Sequence, residues 1–459
     1  MTRLFDPEDP RPVHFVGIAG AGMSALAELL VRRGATVTGC DNNLAGAADL
    51  QRLGLSLQQG HDPAHVDGAR AVVVTSAVPK THPELERARA LGIPVVRRAE
   101  ALGEAVAGTT LVAVAGTHGK TTTTVLTTEA LRAGGLDATG VVGGRVRSWG
   151  GNLSEGGEDV FVVEADEYDR SFLALTPTVA VVTNVEADHL DIYRDLDDIR
   201  ATFATFVRPA THVVLCAEDR GAKTLPTPSS AEVMRYGVRS PDARVRGTGL
   251  RLDPDGSRFG VEFDGDALGE VFLPVPGFHN VLNALAAVAA GLTLGLTVEK
   301  MARGLAAYAG VERRFQRLGE FGGVAIVDDY AHNPAKVRAA LETARVAFPG
   351  RRIVAAFQPH LFTRTRDFAR EFGESLSVAD LVFLTEIYPA REQPIEGVSA
   401  GLVADGVRAA GKSVAWRGAR GELAAALAAA VRPGDVVVTI GAGDVTRTGP
   451  ELIERLRSA

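Results

Sequence analysis

A loop with two glycines and a lysine follows an apolar run near the first quarter of the chain. The run Leu111–Ala115 predicts a buried strand, and Gly116-Thr-His-Gly-Lys-Thr leads from it into a threonine-rich helix. Loop amides and the positive end of that helix would converge on one point, where phosphate oxygens can accept hydrogen bonds. The Lys120 ammonium can reach the outer phosphates of a nucleoside triphosphate, and the Thr121 hydroxyl can ligate Mg²⁺.

This loop departs in one position from the usual phosphate-loop pattern, which has a glycine where this chain has Val114. The match is therefore to the shorter form, Gly-x-x-Gly-Lys-Thr. An ordinary strand–helix turn with a solvated lysine is the alternative. We predict a triphosphate site whose loop residues are Gly116, Thr117, His118, Gly119, Lys120, Thr121 and Thr122.

Acidic segments follow the next two apolar runs. Glu164-Ala-Asp-Glu comes after Val160–Val163, and Asn184-Val-Glu-Ala-Asp-His comes after Val179–Thr183. Groups at the carboxyl ends of parallel strands converge on one crevice. Carboxylates beside a phosphate-bound Mg²⁺ are the expected oxygen ligands, and a neutral histidine can ligate a second metal. Solvated loop carboxylates are the alternative interpretation.

A second glycine loop lies near the N-terminus. It begins after the apolar run Val13–Ile18, and Gly20-x-Gly22-x-x-Ala25 fits a dinucleotide fingerprint. Asp41 follows the next predicted strand, about where a ribose-binding acid belongs. A glycine loop can bind any diphosphate, so a nicotinamide-dependent oxidoreductase and a UDP-sugar-binding protein both remain open on this segment.

These loops require strands that end in crevices and helices that begin there. Short apolar runs alternate with helical patterns along the whole chain, which is typical of parallel sheets with crossover helices. With 459 residues, the length favours about three domains. We predict three consecutive α/β domains, at residues 1–108, 109–310 and 311–459.

Composition excludes several classes of protein. The chain has 49 Lys+Arg and 56 Asp+Glu, a net charge of −7, which argues against binding to nucleic acid. Its two cysteines, Cys40 and Cys216, exclude a disulfide scaffold and cysteine-rich zinc modules. The N-terminus lacks an apolar signal segment, and the apolar stretch 284–296 is too short to span a bilayer. We expect a cytoplasmic protein that is a monomer or a homodimer.

The central motifs resemble the middle domain of the Mur ligases, which are ATP-dependent amide-forming enzymes of peptidoglycan precursor synthesis. The resemblance rests on the phosphate loop, on Glu164-Ala-Asp-Glu and on Thr183-Asn-Val-Glu-Ala-Asp-His. It implies a Rossmann-like UDP-binding domain, a central P-loop ATPase-like domain and a Rossmann-like C-terminal domain for the amino acid. It also implies ATP and Mg²⁺, with phosphates held by Lys120 and magnesium bound by Thr121, Glu164 and His189. No lysine lies between Lys120 and Lys223, so the carbamylated lysine of several Mur ligases has no counterpart, which fits the first ligase of the pathway.

The resemblance extends over residues 13–445 and assigns further site residues. The UDP-sugar would contact the N-terminal loop and two strand ends, at Gly17, Gly20, Gly22, Met23, Ser24, Asp41 and Ser76. Asn280 and Asn283, three apart on one helix face, would lie near the nucleotide. Arg314 would reach the phosphates, and Asp329 is a further catalytic candidate.

An amino-acid substrate needs a carboxylate partner, for which arginine is suited, and an amine delivered unprotonated. The family signatures assign these tasks to Tyr330, His332, His360 and Arg364. Two departures concern selectivity: many relatives have Gly-His-His-Pro where this chain has Ala331-His-Asn-Pro, and many have arginine where it has Leu361.

The resemblance implies that ATP phosphorylates the lactyl carboxylate of UDP-N-acetylmuramate and that L-alanine captures the acyl phosphate. A recycling ligase of the same family, which attaches a preformed peptide, is the nearest alternative. The others are an NAD-dependent oxidoreductase and a nucleotide-regulated binding protein without catalysis.

Overall fold

The computed structural model describes residues 4, 6, 8–189, 192–390 and 392–458 of the chain. The chain forms two compact units. Unit 1 comprises Met1–Leu250, Arg258–Leu273 and Asn280–Ala309, and unit 2 comprises Arg251–Ser257, Pro274–His279 and Gly310–Ala459. The predicted α/β class is confirmed, whereas the three proposed domain boundaries stay a prediction.

Unit 1 begins with a five-stranded parallel sheet. Its strands are β1 (Val13–Val16), β2 (Val37–Asp41), β3 (Ser56–Gln59), β4 (Ala71–Val74) and β5 (Val95–Arg97), and the connecting helices are α1 (Ala21–Arg32), α2 (Ala48–Arg52), α3 (Pro83–Ala90) and α4 (Arg98–Ala105). The order β3-β2-β1-β4-β5 matches the first five strands of the Rossmann order 3-2-1-4-5-6. Strands β1 and β4 are buried along their whole length, as the apolar runs predict for strands covered on both faces.

A second sheet of ten strands follows. Its strands are β6 (Thr110–Ala115), β7 (Ala138–Val146), β8 (Gly151–Ser154), β9 (Val160–Glu164), β10 (Val179–Val182), β11 (His212–Cys216), β12 (Glu232–Gly237), β13 (Val245–Asp253), β14 (Gly256–Phe263) and β15 (Asp266–Leu273). The helices are α5 (Lys120–Gly134), α6 (Leu196–Val207), α7 (Arg220–Lys223), α8 (Phe278–Thr293) and α9 (Val298–Ala306). Strand β6 lies between β10 and β9 and is parallel to both. Their carboxyl ends therefore meet at the loop before α5.

Unit 2 contains a six-stranded sheet in the order β16-β17-β21-β18-β19-β20. Its strands are β16 (Gln316–Phe321), β17 (Val324–Asp329), β18 (Arg352–Phe357), β19 (Leu381–Thr385), β20 (Val414–Gly418) and β21 (Asp435–Ile440). The helices are α10 (Pro334–Ala347), α11 (Phe362–Leu376), α12 (Ala400–Ala409), α13 (Arg420–Ala430) and α14 (Thr448–Ser458). As the sequence predicts, Asn333 caps α10 by accepting a hydrogen bond from the Lys336 amide, and Pro334 is the first helical residue.

Within the described residues, no helix is long and apolar enough to cross a membrane.

Candidate active site

The phosphate loop connects β6 to α5 and is held by the residues that follow β10. Gly116 has φ +142° and Gly119 has φ +79°, and residues with a side chain rarely adopt such positive φ angles. A Cβ at position 119 would also lie 2.6 Å from Asn283 Oδ1. The Thr183 hydroxyl donates to the His118 carbonyl (2.6 Å), so the loop shape is set before any ligand binds.

Lys120 is the first residue of α5 and lies in a buried ion pair. Its Nζ donates to the Gly116 carbonyl (2.8 Å) and to Glu167 Oε2 (2.5 Å). The Lys120 and Glu167 side chains are 13% and 4% exposed. Burial alone would raise the pKa of Glu167, but the Lys120 ammonium and the neighbouring His189 outweigh it and lower that pKa to about 2. Burial likewise opposes charge on Lys120, yet the neighbouring carboxylates raise its pKa, so both groups stay ionised.

The three predicted magnesium ligands lie around this ion pair. The Thr121 hydroxyl donates to Glu164 Oε1 (2.9 Å), and the Gly143 amide donates to Glu164 Oε2 (2.7 Å). His189 Nε2 lies 3.5 Å from Glu167 Oε1. Thr121 and Glu164 are therefore in direct contact, and His189 lies beside Glu167, the partner of Lys120.

The remaining loop residues contact the strand ends and α8. Thr117 Oγ1 accepts a hydrogen bond from the Glu186 amide (3.0 Å), and His118 Nε2 lies 2.8 Å from Glu186 Oε2. Thr122 is buried in the first turn of α5. On α8, Asn283 Oδ1 accepts from the Thr123 hydroxyl (3.1 Å). Asn280 lies on the same helix face, with its Oδ1 3.5 Å from Asn283 Nδ2.

The N-terminal glycine loop joins β1 to α1 beside the end of β2. The amides of Gly17 and Ile18 donate to the Cys40 carbonyl (2.9 and 3.1 Å). Asp41 Oδ2 accepts from the Ala19 amide (3.1 Å), so the predicted ribose-binding carboxylate also holds the loop. The other residues predicted to contact the UDP-sugar lie around this loop or after β4. Gly20 precedes α1, Gly22 and Met23 lie in the first turn of α1, and the Ser24 hydroxyl donates to the Ala21 carbonyl (3.0 Å). Ser76 is exposed in the turn after β4.

Two residues beside these loops were not among the site residues predicted from the sequence. Glu167 belongs to the acidic run that was recognised, but the prediction chose Glu164 alone, and only the fold reveals that Lys120 pairs with Glu167. Arg98 begins α4, and its guanidinium lies 3.0 Å from the position that a Cβ at Gly22 would occupy. It therefore brings a positive charge to the second glycine loop. The position of Arg98 directly after a predicted strand could have indicated this role, because the carboxyl ends of parallel strands converge at such loops.

In unit 2 the predicted amino-acid residues lie together. The ring centroids of Tyr330 and His332 are 5.2 Å apart, and those of His332 and His360 are 6.1 Å apart. Arg364 Nη1 lies 3.4 Å from His360 Nδ1. Tyr330 and His332 follow β17, and His360 and Arg364 follow β18, the two strands on either side of β21. The four residues form one polar group, which we call the β17–β18 site.

Asp329 and Arg314 lie next to the β17–β18 site. Asp329 accepts hydrogen bonds from the amides of Phe315 (2.7 Å) and Ala331 (2.8 Å). Burial raises the pKa of its carboxyl, although the Arg314 guanidinium opposes that shift. The Arg314 guanidinium lies 5.2 Å from the Tyr330 ring centroid, which connects it with the predicted amino-acid residues.

These features define an α/β protein with a phosphate loop, a buried lysine and a set of strand-end carboxylates. Three family models match successive parts of the chain: "Mur ligase family, catalytic domain" at residues 12–110, "Mur ligase middle domain" at 114–291 and "Mur ligase, glutamate ligase domain" at 313–443. The chain belongs to the Mur ligase family.

Several relatives match nearly the full chain. The UDP-N-acetylmuramate–L-alanine ligase of Salinibacter ruber is 43% identical, covering 98% of this chain and 95% of the relative. The protein of the same name from Acidothermus cellulolyticus is 45% identical, covering 97% and 94%. Among solved structures, the UDP-N-acetylmuramate–alanine ligase of Thermotoga maritima has a TM-score of 0.82 at 30% identity, covering 97% and 99%. A murein peptide ligase from Psychrobacter arcticus has a TM-score of 0.72 at 24% identity, covering 98% and 99%, which is a likeness of fold.

Proposed function

We propose that this chain is a UDP-N-acetylmuramate–L-alanine ligase. In this reaction the γ-phosphoryl group of ATP passes to the lactyl carboxylate of UDP-N-acetylmuramate, giving an acyl phosphate and ADP. The L-alanine amine then attacks the activated carbonyl carbon, and inorganic phosphate leaves. The names of relatives that are 43% and 45% identical over nearly the full chain support the substrate assignment. The observation that carries the ATP assignment is the buried contact of Lys120 with Glu167 at the phosphate loop.

ATP-dependent activation is needed because a carboxylate is a poor electrophile, so the protein mainly has to position groups and stabilise charge. In this proposal the loop amides and Lys120 hold the phosphates, and Asn280 and Asn283 contact the nucleotide. Lys120 Nζ is already held at the loop by Gly116 and Glu167, which limits the reorganisation needed when a triphosphate binds.

The donor set around Lys120 fits Mg²⁺. Glu164, Asp166 and Glu167 all act on the charge of Lys120, so three carboxylates surround one ammonium. Glu167 Oε1 is buried and has no hydrogen-bond partner among the described residues. An excess of negative charge, of which the Glu167 carboxylate is buried, beside a phosphate site favours a hard divalent cation with oxygen ligands. Thr121, Glu164 and His189 would hold it, and bound Mg²⁺ would neutralise the phosphoryl oxygens during transfer.

The β17–β18 site is the proposed place for L-alanine. Arg364 is suited to bidentate binding of the α-carboxylate. His332 or Tyr330 would act as the base that takes the proton the ammonium group of L-alanine must lose before it attacks. His360 would orient Arg364, whose Nη1 lies 3.4 Å from it. Arg314 would stabilise phosphate charge. Asp329 accepts hydrogen bonds from the amides of Phe315, which follows Arg314, and of Ala331, which follows Tyr330.

The N-terminal glycine loop is the proposed site of the UDP group. Gly17 and Gly20 would shape the loop, since their amides donate to main-chain carbonyls, and the main-chain amides at the start of α1, around Gly22, would bind the diphosphate. Arg98 adds a positive charge beside Gly22. We further propose the three-domain division at 1–108, 109–310 and 311–459, a cytoplasmic location, and a monomer or homodimer, which sedimentation would distinguish.

The decisive experiment is ADP release measured with a panel of acceptors: L-alanine, glycine, L-serine and the murein tripeptide. We expect release that requires both UDP-N-acetylmuramate and L-alanine. Release with the tripeptide alone would instead identify a recycling ligase, and ATP binding without turnover would identify a binding protein. A change in nicotinamide absorbance without ATP would identify an oxidoreductase.

A further inference from the structure

Six side chains that can bind a metal ion lie together on one face of the five-stranded sheet, away from the phosphate loop of β6. Val16 on β1 is paired with Cys40 on β2, and His14 is two residues before Val16, so His14 and Cys40 point to the same face. The short helix Pro63–Val66 and the start of α3 cover that face. The set, which we call the histidine cluster, is His14, Cys40, His61, His65, His82 and Glu84.

Four of these residues already have the spacing of a metal site. One donor atom from each of His14, Cys40, His65 and Glu84 lies within 4.8 Å of the others. Cys40 Sγ is 3.1 Å from Glu84 Oε1, and His65 Nδ1 is 2.9 Å from the same oxygen. Tetrahedral zinc with bonds of about 2.0–2.3 Å separates its donor atoms by roughly 3.3–3.8 Å. Small side-chain movements would therefore admit the ion.

His14 supplies an independent indication of a missing ligand. The residue is 0% exposed, and its Nδ1 lies 2.9 Å from the Thr38 hydroxyl. The other ring nitrogen, Nε2, is buried and has no hydrogen-bond partner among the described residues. Buried polar atoms are nearly always satisfied.

The charge of Glu84 points the same way. Glu84 is 0% exposed, and its ion-pair partners are His61, His65 and His82 rather than a lysine or an arginine. Buried charges are usually paired or bound to a metal.

We propose that His14, Cys40, His65 and Glu84 bind one zinc ion. Thiolate, imidazole and carboxylate donors in a closed set of four are those of a structural zinc site. On binding, the Cys40 thiol would release its proton to solvent and form a sulfur–zinc bond. His61 and His82, whose Nδ1 atoms lie 3.4 and 3.8 Å from Glu84 Oε2, would orient that carboxylate as outer partners.

Zinc at the histidine cluster would join β1, β2, the helix Pro63–Val66 and α3. Cys40 is also the residue whose carbonyl holds the amides of Gly17 and Ile18, so the ion would steady the N-terminal glycine loop. The proposal is independent of the ligase reaction and of the Mg²⁺ site around Glu164.

The test is a metal titration of the full-length chain after treatment with a chelator. Co²⁺ is added in the presence of excess Mg²⁺, which occupies oxygen-ligand sites such as that near Glu164. We expect one Co²⁺ per chain, with a sulfur-to-cobalt charge-transfer absorption and the visible bands of four-coordinate Co²⁺, all of which Zn²⁺ then abolishes. Cys40→Ser should remove the charge-transfer absorption, whereas Cys216→Ser, which alters the other buried cysteine, should keep it.

Affinity provides the second measurement. His65→Asn should weaken Zn²⁺ binding by more than the roughly 10- to 100-fold that loss of an outer partner causes. Equal binding by Cys40→Ser and the unmodified chain would overturn the proposal. If a variant does not fold, the unmodified chain still decides: cobalt without a charge-transfer absorption, or no zinc retained against a weak chelator, would also overturn it.

Discussion

The buried ion pair of Lys120 and Glu167 leads to a prediction that distinguishes an effect on protein stability from an effect on catalysis. Lys120→Met keeps most of the side-chain volume but leaves the Glu167 carboxylate, which is 4% exposed, without its ammonium partner. Breaking a buried ion pair by removing one partner costs about 3–5 kcal/mol. The double variant Lys120→Met/Glu167→Gln leaves no isolated charge, so we expect it to regain most of that free energy of unfolding. Both variants should lose at least about 10²-fold in kcat, as expected when a group that stabilises transition-state charge is removed.

The two tryptophans allow unit 1 to be followed by itself. Trp149 lies in unit 1, and its Nε1 donates to Glu129 of α5 (2.7 Å), the helix that begins at Lys120. Replacing Trp416 with phenylalanine leaves Trp149 as the only tryptophan, so denaturant unfolding followed by fluorescence reports on this helix. ADP release measures ligation in the same variants.

Lys223→Met is the matched control, because Lys223 forms an exposed ion pair with Asp242. Exposed pairs contribute little to stability, so this variant should behave like the parent chain in both assays. If Lys120→Met destabilised unit 1 no more than Lys223→Met, or if the double variant recovered ligation together with stability, the assigned roles of the buried pair would be wrong.

Three further predictions concern single positions. Gly119→Ala combines a φ of +79° with a Cβ 2.6 Å from Asn283 Oδ1, so it should raise the KM for ATP with little change in the KM for L-alanine. Arg364→Lys should raise the KM for L-alanine while leaving the KM for ATP unchanged, since lysine lacks the planar fork that binds a carboxylate. Asp435→Asn should lower the free energy of unfolding of unit 2 by about 1–3 kcal/mol, measured by the fluorescence of the tryptophan in that unit, because it replaces the charged contact with Arg352, whose side chain is 25% exposed, by a neutral one. Since that ion pair lowers the pKa of Asp435 despite burial, its stabilisation should be complete above about pH 5 and decline as pH falls through the folded-state pKa.

Local sequence patterns predicted those segments whose functional residues are consecutive in the chain. Strand β6, the glycine loop and the start of α5 follow one another along the chain, so their order was readable directly. The capping of α10 by Asn333 was predicted for the same reason. Residues that follow strand ends, such as Glu164 and His189, were proposed as site residues from a rule about parallel sheets rather than from their neighbours in sequence, and their roles stay predictions.

Contacts between distant segments were not predictable from the sequence. Glu167 pairs with a lysine 47 residues earlier in the chain, and nothing in Glu164-Ala-Asp-Glu indicates which carboxylate faces that lysine. The histidine cluster escaped notice because its members come from four elements, and their spacing matches no zinc-binding motif. Only the pairing of β1 with β2 and the position of α3 bring Cys40 to Glu84.

Asp41 illustrates why the N-terminal fingerprint alone left two functions open. In the structure Asp41 Oδ2 accepts from the Ala19 amide and Oδ1 accepts from the Asn43 amide, so the carboxylate fixes the glycine loop and the turn after β2. An ionised carboxylate has about four acceptor positions, so two remain for a ribose hydroxyl. A dinucleotide-binding loop and a UDP-binding loop both require a glycine turn for the diphosphate and a carboxylate for the ribose. The spacing of Asp41 from the glycines satisfies either kind of loop. The distinction therefore comes from the second sheet, whose buried lysine and surrounding carboxylates would serve a triphosphate in the proposed reaction and would have no task in hydride transfer.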